Sequence, residues 1–591
     1  MQNAETVLGV LRERGRKGLP CNELYRQMFS KELYLIAYGR IYANHGAMTP
    51  GASSETADGM SEEKIDAIIE AMRHERYRFS PARRVFIPKK NGKLRPLGLP
   101  SWSDKLVGEV VRLLLEAYYE PTFSGRSHGF RPGRGCHTAL REIQETWTGT
   151  VWFVEGDISD CFGSLDHEIM VRILSEKIHD NRFLRLIRNM LEAGYLEEWE
   201  YHATLSGSPQ GGVVSPILSN IYLSKLDNYA ETVLIPQHTR GNRRKHNPEY
   251  ERTRNRMTAA RRHGDHNTAR ALRHELRQIP SGDPQDPGYR RLRYSRYADD
   301  HILGFTGPKA EAEAIKDQLA RFLREELALE LSPDKTLITH ARTRAARYLG
   351  YEIIVQHCDT KITRGRRSAN GNVALRVPLD VIKAKRAPYR QRGKPWHRPA
   401  LQNLDDYDII QAYGAEYRGI VGYYVLARDV WRFNELEWYA TTSMLKTLAA
   451  KYQSTVTKMA ARYKAKIKTP HGLRTCFEAR IGRDGKPDLV ARFGGIPLVQ
   501  KKDAVLTDRV PARPPAPRKE LLHRLHTRRC ELCGDPAKVV VHQVRKLTSL
   551  GAPGPGQPAW AEKMAQMRRK TLVVCGPCHD AIHAQPVTKA A

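Results

Sequence analysis

Two aspartates stand side by side in a run of residues that favour β-structure. Asp299 and Asp300 lie in the stretch YSRYADDHILGF (residues 294–305), between an aromatic run and an aliphatic one. Like charges this close repel each other, while their neighbours favour burial. Taken alone, the tetrapeptide YADD also suits a hairpin turn, where Asp is an ordinary residue. The pair therefore has two interpretations, a simple turn or a site that binds cations.

A third acid favours the cation site. Asp157 lies in another β-prone run, FVEGDISDCF (residues 153–162). An acid at a strand end, facing a hairpin with two more acids, supplies the hard oxygen ligands that Mg²⁺ prefers. Two such ions held about 3.5–4 Å apart can clamp the attacking and leaving oxygens of a phosphoryl transfer. The three aspartates therefore indicate phosphoryl-transfer chemistry.

The elements around these acids predict an α+β body, because short β-prone runs alternate with amphipathic helices between about residues 80 and 350. The predicted strands are RRVFIP (83–88), VWFVEGDIS (151–159), LRYSRYADDHILGF (292–305) and YLGYEIIV (348–355), and the predicted helices are residues 104–120 and 310–329. Residues 1–80 and 405–465 favour helix.

The composition points to a polyanionic partner. The chain has 591 residues and a net charge of +32, which is typical of proteins that bind nucleic acid; a membrane surface is the second candidate. We find no apolar run long enough to span a bilayer. The N-terminal sequence MQNAETVLGVLRERGRKG lacks the apolar core of a secretory signal. We therefore expect a multidomain cytoplasmic protein.

A basic segment interrupts the α+β pattern. Residues 241–280 hold eleven Lys or Arg against four Asp or Glu. This composition suits a solvated loop or helical pair, and equally an insertion that contacts nucleic acid. Further on, the Pro-rich stretch TDRVPARPPAPR (507–518) predicts a linker to a small C-terminal module.

Four of the nine cysteines form two CxxC pairs near the C-terminus, and the other five are scattered. The paired cysteines are Cys530, Cys533, Cys575 and Cys578. This spacing predicts one tetrahedral structural Zn²⁺ site, since a module this small needs a metal to fold. His579 and His583 are four residues apart, so on a helix they would share one face and could hold a second ion.

Several motifs resemble those of reverse transcriptases. Asp157 with Phe162 resembles the first palm motif, LSGSPQGGVVSP (205–216) the nucleotide-pocket motif, and YADD the second aspartate motif. LSPDKT (331–336) and YLGY (348–351) resemble the two motifs that close the palm. All of them occur in the family's order and spacing. The resemblance implies a right-hand polymerase with an antiparallel palm sheet.

The resemblance narrows to group II intron-encoded proteins. The sequences AMTPG (47–51), IPKKNGKLRPLG (87–98) and GFRPGRGCH (129–137) are similar to the fingers of that family, as is YRRL (289–292) to the end of its insertion before YADD. The implied organisation is an N-terminal helical extension of the fingers (1–80), fingers and palm (81–360) with a basic insertion at about 235–290, an α-helical thumb or maturase domain (375–500), a linker and DNA-binding segment (501–520), and a zinc-stapled ββα HNH endonuclease-like module (521–591).

The resemblance assigns roles at the polymerase site. Asp157 and Asp299 would bind two Mg²⁺ ions, with the Ile158 carbonyl as a further ligand, and Asp300 would support them. Six more residues would contact nucleotide or template: Arg83, Lys89, Arg95, Phe162, Gln210 and Lys335. Phe162 would stack under the deoxyribose and collide with a 2′-hydroxyl. Each cation also fits a solvated surface charge, and Phe162 a core residue.

Two further sets of residues follow from the resemblance. In the thumb, phosphate contacts with intron RNA fall on Arg418, Lys446, Lys451 and Lys458, although core packing explains the same helices. In the HNH-like module, His542, His579 and His583 would hold a nuclease Mg²⁺. Where the family has a second adjacent histidine as general base, this chain has Gln543, whose amide cannot accept a proton near neutral pH.

The sequence therefore predicts an RNA-directed DNA polymerase that uses dNTPs, binds its group II intron RNA as a maturase and supports retrohoming into target DNA, with impaired nicking. The alternative is an RNA-binding splicing cofactor that keeps the polymerase fold for its shape alone. A defence-associated reverse transcriptase fits less well, because thumb and nuclease modules occur together here.

Overall fold

The computed structural model describes residues 3–88, 92, 94–197, 200–202, 207, 212–358, 360–363, 366–483, 486–507, 520–550 and 557–585. Lys89, Gln210 and most of the linker predicted at 507–518 lie outside these residues. The N-terminal part is helical, as expected: α1 (Ala4–Arg16), α2 (Leu24–Gln27), α3 (Lys31–Ile41) and α4 (Glu62–Arg73). The side chain of Ser61 caps α4 by accepting a hydrogen bond from the Lys64 amide at 3.3 Å.

The fingers combine a hairpin with a buried helix. The elements are β1 (Ala82–Pro88), β2 (Leu94–Leu99), α5 (Trp102–Tyr119) and α6 (Cys136–Thr146). α5 is buried on almost every side, because it packs against α1 and α3. Ser101 caps it through the Asp104 amide. This helix joins the N-terminal extension and the fingers into one core.

The first part of the palm follows as β3 (Trp152–Asp157), α7 (His167–Ser175), α8 (Asn181–Leu191), β4 (Tyr195–Glu197), β5 (Glu200–His202) and α9 (Ser215–Tyr229). A π-helical turn at Ala230–Leu234 leads into the short α10 (Ile235–Gln237). β4 pairs in parallel with β1, so the fingers sheet has the order β2-β1-β4-β5. The fingers hairpin is thereby fixed to the palm.

The basic insertion is a helical pair, α11 (Pro248–Arg262) and α12 (His266–Leu276). Its buried contacts are few, with Thr253 on α11 and Ala269, Leu272 and Leu276 on α12. Asp265 caps α12 through the Thr268 amide at 3.0 Å. Most of the insertion's arginines are exposed, so its charge faces solvent.

The palm sheet has the order β6-β7-β3-β8. The second part of the palm supplies β6 (Arg291–Tyr297), β7 (Asp300–Thr306), α13 (Lys309–Leu327), β8 (Ile338–His340), β9 (Ala346–Tyr348) and β10 (Tyr351–Val355). Alternate residues of its central strands face two different cores: Val154 and Leu303 pack in the core with the fingers, whereas Phe153 and Ile302 pack in the core with the thumb. Burial on both faces explains the continuous apolar runs in the sequence.

The thumb region contains helices and, in addition, a sheet that the sequence analysis did not predict. After β11 (Ile362–Thr363), β12 (Arg366–Arg367) and β13 (Val373–Arg376) come α14 (Leu379–Arg386), β14 (Arg390–Gln391), β15 (Lys394–Pro395), α15 (Pro399–Gln402), α16 (Asp406–Tyr424), α17 (Asn434–Lys451), α18 (Val456–Tyr463), β16 (Lys464–Thr469), β17 (Gly472–Arg483) and β18 (Lys486–Gly494). The last three strands form an antiparallel sheet that packs on α16.

The C-terminal module contains α19 (Glu520–His526), β19 (Val539–Gln543), α20 (Ala559–Met567), β20 (Thr571–Cys575) and α21 (Gly576–Ala584). β19 and β20 pair antiparallel and α21 follows directly, which gives the expected ββα arrangement. Leu521, Leu522 and Leu525 of α19 belong to the same apolar core as the N-terminal helices. The module is therefore packed onto the N-terminal extension.

Among the described residues, no helix combines the length and the apolar character needed to cross a bilayer.

Candidate active site and metal centres

The three aspartates meet at one end of the palm sheet. Asp157 is the last residue of β3 and pairs in register with Asp300, the first residue of β7. Asp299 lies in the two-residue turn between β6 and β7, which Ala298 enters with a φ of 55°. Ile158 is buried beside Asp157 and forms a bridge with Leu331. The hairpin thus serves as a turn and also presents carboxylates, so the two initial interpretations are compatible.

The carboxylates repel each other in a poorly solvated place. Burial, together with the charges of Asp299 and Asp157, raises the pKa of Asp300 to about 7. Burial also raises the pKa of Asp299, and the charge of Asp157 adds to this effect. Lys335 donates a hydrogen bond to Asp157 Oδ2 at 2.5 Å, and this bond raises the pKa of the lysine. The oxygens of the three carboxylates form a donor set that suits hard divalent cations, and Lys335 contacts one of these carboxylates.

A buried arginine holds the aspartate turn in place. Arg296 is fully buried, and its Nη1 donates to the Ala298 carbonyl oxygen at 2.8 Å. Its Nε and Nη2 donate to the two carboxylate oxygens of Asp227 on α9, at 2.7 and 2.6 Å. Further bonds run to Asn220 Oδ1 at 3.2 Å and to Ser127 Oγ at 2.8 Å. The five N–H groups of this guanidinium each have an acceptor, which fixes the turn relative to α9.

Close backbone approach also shapes the site. Gly156 on β3 lies opposite His301 on β7, and a Cβ at Gly156 would come within 2.0 Å of His301 Nε2. Burial lowers the pKa of His301 to about 4, so the ring is neutral at physiological pH. Gly129 approaches the turn from the other side, where a Cβ would lie 2.5 Å from the Ala298 amide nitrogen. Glycine at both positions lets neighbouring segments pack against the aspartate hairpin.

The residues expected to contact nucleotide are partly described. Arg83 donates to the Pro50 carbonyl oxygen at 3.0 Å. Arg95 is exposed on β2. The charge of Arg95 lowers the pKa of Asp299, which opposes the larger effect of burial. Phe162 is half-buried in the turn after β3, so it is not a core residue. Lys335 is 67% exposed and reaches the site as described above. The expectations for Lys89 and Gln210 fall outside the described residues.

A cleft of about 270 Å³ separates the fingers hairpin from the palm. Its walls include Arg84 and Gly98 from the fingers, Lys105 from α5 and Asp160 from the turn after β3. Burial and the nearby charge of Arg83 lower the pKa of Lys105. Asp160 in its wall is close to Asp157 in sequence. The cleft opens between the fingers and the palm, which are the two elements that a polymerase would use to hold a nucleotide.

The thumb cations named in the sequence analysis differ in their surroundings. Arg418 donates to the Arg492 carbonyl oxygen at 2.6 Å, and Lys446 donates to the Pro395 carbonyl oxygen at 2.9 Å. Lys451 pairs with Asp406 at 2.8 Å. Lys458 is exposed near the start of α18. Three of the four side chains thus bind within the thumb itself.

Sequence reasoning missed a lysine row on the same region. Lys464, Lys466 and Lys468 alternate along β16 and are all exposed, while the residues between them are half-buried. β16 is an edge strand of its sheet, so the row borders open backbone. The strict alternation in KAKIKT was a usable signal for a half-buried strand.

The four cysteines converge as predicted. Cys530 and Cys533 follow α19, Cys575 ends β20 and Cys578 lies on α21, with all four sulfur atoms within 4.8 Å of one another. Cys533 Sγ and Cys575 Sγ are 3.8 Å apart. Tetrahedral coordination with Zn–S bonds of about 2.3 Å gives sulfur–sulfur distances of about 3.8 Å. The donor set and its spacing therefore fit Zn²⁺.

The three histidines of the C-terminal module also converge. His542 comes from β19, and His579 and His583 lie one turn apart on α21 with their Nε2 atoms separated by 3.4 Å. A fourth residue, Asp58, joins them from the loop before α4, and sequence reasoning missed it. Gln543 is turned towards the same loop, since its Nε2 donates to the Tyr42 carbonyl oxygen at 2.8 Å.

Comparison with known proteins defines the class first. Residues 87–246 match the reverse transcriptase (RNA-dependent DNA polymerase) family, residues 378–493 the type II intron maturase family, and residues 530–579 the AI2M/AI1M-like HNH endonuclease family. The first match includes Asp157, and the third contains the four cysteines. The chain is thus an RNA-directed DNA polymerase joined to a maturase region and an HNH-like module.

Individual relatives narrow the class to a family. The group II intron-encoded protein LtrA of Lactococcus lactis subsp. cremoris is 38% identical over 584 residues, which cover 94% of each chain. An uncharacterized 91 kDa protein in a cob intron of Schizosaccharomyces pombe is 33% identical over 96% of this chain and 70% of its own. A telomerase structure from Candida albicans gives a TM-score of only 0.31 at 12% identity, over 66% of this chain and 63% of that one.

This chain belongs to the group II intron-encoded proteins. The predicted α+β polymerase fold, the RNA-directed DNA polymerase activity, and the roles in splicing and retrohoming of a group II intron are thereby confirmed. Members of these families bind intron RNA and DNA, and polymerisation requires dNTPs.

Proposed function

We propose that Asp157, Asp299 and Asp300 are the carboxylates with which this protein copies RNA into DNA. A primer 3′-hydroxyl attacks the α-phosphate of a dNTP, and pyrophosphate leaves. The observation that carries the proposal is the convergence of three carboxylates at the paired ends of β3 and β7. Asp157 and Asp299 would hold two Mg²⁺ ions with the Ile158 carbonyl oxygen, and bound Mg²⁺ would stabilise charge on the reacting oxygens.

The chain's own groups have separate tasks in this proposal. Lys335, which contacts Asp157, would donate a proton to the leaving pyrophosphate. Phe162 follows the same strand end, where its ring supports selection against ribonucleotides. Arg95, exposed on the fingers hairpin, is available to triphosphate oxygens. Arg296 positions the Asp299 turn and touches no substrate.

Primer extension on an RNA template tests the carboxylate assignment. Asp299→Asn should lower the extension rate more than about a hundredfold, since even outer-shell partners of a bound metal account for 10–100-fold effects. The matched control is Asp334→Asn, because Asp334 is an exposed carboxylate in the turn beside Lys335. Extension by Asp299→Asn within a few-fold of the wild type would refute the assignment.

The same variant separates polymerisation from splicing assistance. Splicing of a transcript containing the group II intron should persist with Asp299→Asn while extension is lost, because intron binding does not need the carboxylates. Loss of splicing assistance together with extension would contradict this separation of roles. We also propose that the protein works in the cytoplasm, where transcript and target DNA meet.

We further propose that the exposed lysine row on β16, with Lys458, contacts the phosphates of intron RNA. The supporting observation is three cations on one face of an edge strand. Replacing Lys464, Lys466 and Lys468 by Gln should reduce the steepness of log K for RNA binding against log salt concentration by about two, because each phosphate contact contributes about 0.7. The reference variant is Lys309→Gln, which removes one exposed cation outside β16. A triple reference that also changed Lys316 and Lys335 would be unsuitable, because Lys335 serves the active site. An unchanged slope would refute the contacts.

For the C-terminal module we propose a structural Zn²⁺ held by the four cysteines, and weak nicking of DNA. The sulfur spacing supports the first part. The second part rests on Gln543, which stands at the general-base position and cannot accept a proton. A labelled target duplex incubated with the ribonucleoprotein tests it: efficient cleavage of the second strand would show that another group acts as base.

A further inference from the structure

The histidine cluster of the C-terminal module faces an acid from the other end of the chain. Asp58 Oδ2 lies 2.8 Å from His583 Nε2 and 3.3 Å from His579 Nε2. Asp58 Oδ1 lies 3.1 Å from His542 Nδ1. The ligand atoms of these four residues all lie within 4.8 Å of one another.

The separations around His579 match the size of a coordinated transition metal. With metal–nitrogen and metal–oxygen bonds of about 2.0–2.1 Å, tetrahedral ligands lie about 3.3–3.4 Å apart. The two contacts of His579, with His583 at 3.4 Å and with Asp58 at 3.3 Å, have this length. The contacts of Asp58 with His542 at 3.1 Å and with His583 at 2.8 Å are shorter, and the latter has the length of a hydrogen bond. Imidazole nitrogens and carboxylate oxygens are both ligands of Zn²⁺ in proteins.

A hydrogen-bonded cluster without metal explains His542 poorly. This residue is 4% exposed, and within the described part of the chain neither of its ring nitrogens makes a hydrogen bond. Its Nδ1 is close to Asp58 Oδ1 without the geometry of an N–H···O bond. A buried imidazole whose nitrogens lack a well-formed hydrogen bond is unfavourable, whereas a metal ion would use a ring lone pair.

The loop that carries Asp58 is bound to the strand that carries His542. The Gly59 amide donates to the Val541 carbonyl oxygen, and the Val541 amide donates to the Met60 carbonyl oxygen, both at 2.9 Å. The Gln543 amide donates to Asp58 Oδ1 at 2.7 Å. Asp58 is therefore held against the cluster by the backbone bonds of the two residues that follow it and by the Gln543 backbone amide.

The surrounding contact is partly apolar. Val541 and Val573 of the module, like the leucines of α19, share a core with Met60 and the N-terminal helices. At its edge, His526 Nδ1 lies 2.9 Å from Glu62 Oε1. A shared apolar core opposes relative motion of the two parts, which keeps Asp58 at the cluster.

We propose that Asp58 completes a closed four-ligand Zn²⁺ site with His542, His579 and His583, and that this ion joins the C-terminal module to the N-terminal segment of the fingers. Catalytic metal sites keep a coordination position open for water or substrate, and Asp58 fills that position here. The site thus serves as a metal clasp between the two ends of the chain. The clasp does not depend on the polymerase proposal. It gives a second reason for weak nicking, in addition to the absence of a general base at Gln543.

Counting zinc in the purified full-length protein tests the clasp. After saturation with Zn²⁺ and removal of free ion, the wild type should hold two equivalents, one in the cysteine site and one in the clasp. Asp58→Ala and His583→Ala should each hold one, with affinity for the second ion lowered by more than about a hundredfold. The control Asp66→Ala, an exposed acid on α4, should hold two.

Two further readings make the result decisive. The cysteine site reports folding of the module, so a variant that retains its one equivalent there has not simply unfolded. Hydrogen exchange of β19 amides should increase with Asp58→Ala and on removal of the second ion from the wild type. A wild type that binds a single equivalent, or an Asp58→Ala variant that binds two with unchanged affinity, would overturn the proposal. Polymerase activity can fail or persist without affecting either outcome.

Discussion

The buried pair between Arg296 and Asp227 provides a sharp test of how the active site is held. Both side chains are almost completely buried, and their two contacts measure 2.6 and 2.7 Å. Asp227→Ala leaves the guanidinium charge buried without its counterion and also removes the acceptor of the Tyr294 hydroxyl. Breaking a buried pair from one side destabilises by about 3–5 kcal/mol.

Because the chain has several cores, this loss is best measured locally. Hydrogen exchange of the β6 and β7 amides follows the free energy of local opening. A change of about 3–5 kcal/mol corresponds to exchange between about 150-fold and 5,000-fold faster. The matched control is Glu313→Ala, which removes the acid of an exposed pair with Lys309 and should alter exchange less than about fivefold.

A second variant separates stability from positioning. Replacing the pair together, Arg296→Met with Asp227→Leu, should recover most of the stability, since apolar replacement of a buried pair is often neutral. It cannot restore the bond to the Ala298 carbonyl oxygen, so primer extension should stay low. Asp227→Ala with exchange less than tenfold faster and full extension would refute the view that Arg296 anchors the aspartate turn.

Three further predictions follow from contacts already described. Gly156→Ala should abolish extension and destabilise the palm, because its Cβ would lie 2.0 Å from His301 Nε2. The control Gly419→Ala on α16, which has open space around it, should do neither. Thermal melting and primer extension measure the two effects. Phe162→Val should raise incorporation of ribonucleotides at least tenfold relative to dNTPs in extension assays, and an unchanged ratio would show that its ring does not select the sugar. Cys575→Ser should release one zinc equivalent, measured by metal analysis, and loosen the small core that contains Trp560, while extension persists.

The convergence of the aspartates was predictable, because each lies in a segment with a strong local pattern. Asp157 and Asp300 border strands buried on both faces, and such strands have continuous apolar runs. The order and spacing of the motifs then specify how the strands pair. The cysteines were predictable for the same reason, since paired CxxC spacing is itself the ligand geometry.

Long cations were harder to assign. Arg296 stands in the same stretch as the aspartates, yet the sequence gives no sign that it is buried, because its partner Asp227 is 69 residues away on another element. Lys446 and Lys451 carry flexible stems that can turn to a nearby carbonyl or acid as easily as to solvent. Helical position alone does not decide between these directions, whereas the alternation on β16 does fix which lysines are exposed.

The contact between Asp58 and the C-terminal module spans 485 residues, so no local pattern could reveal it. The spacing of His579 and His583 indicates two ligands, and the family resemblance adds His542. The fourth ligand depends on which surface the module packs against, and apolar residues of α19 and β19 decide that. If both the missing base and the closed site prevent nicking, restoring one should be insufficient. Gln543→His should therefore leave cleavage of a labelled duplex low, and Gln543→His combined with Asp58→Ala should raise it, up to the 10²–10⁴-fold typical of a general base. Strong cleavage by Gln543→His alone, in the presence of Mg²⁺ or Mn²⁺, would show that Asp58 does not close the site.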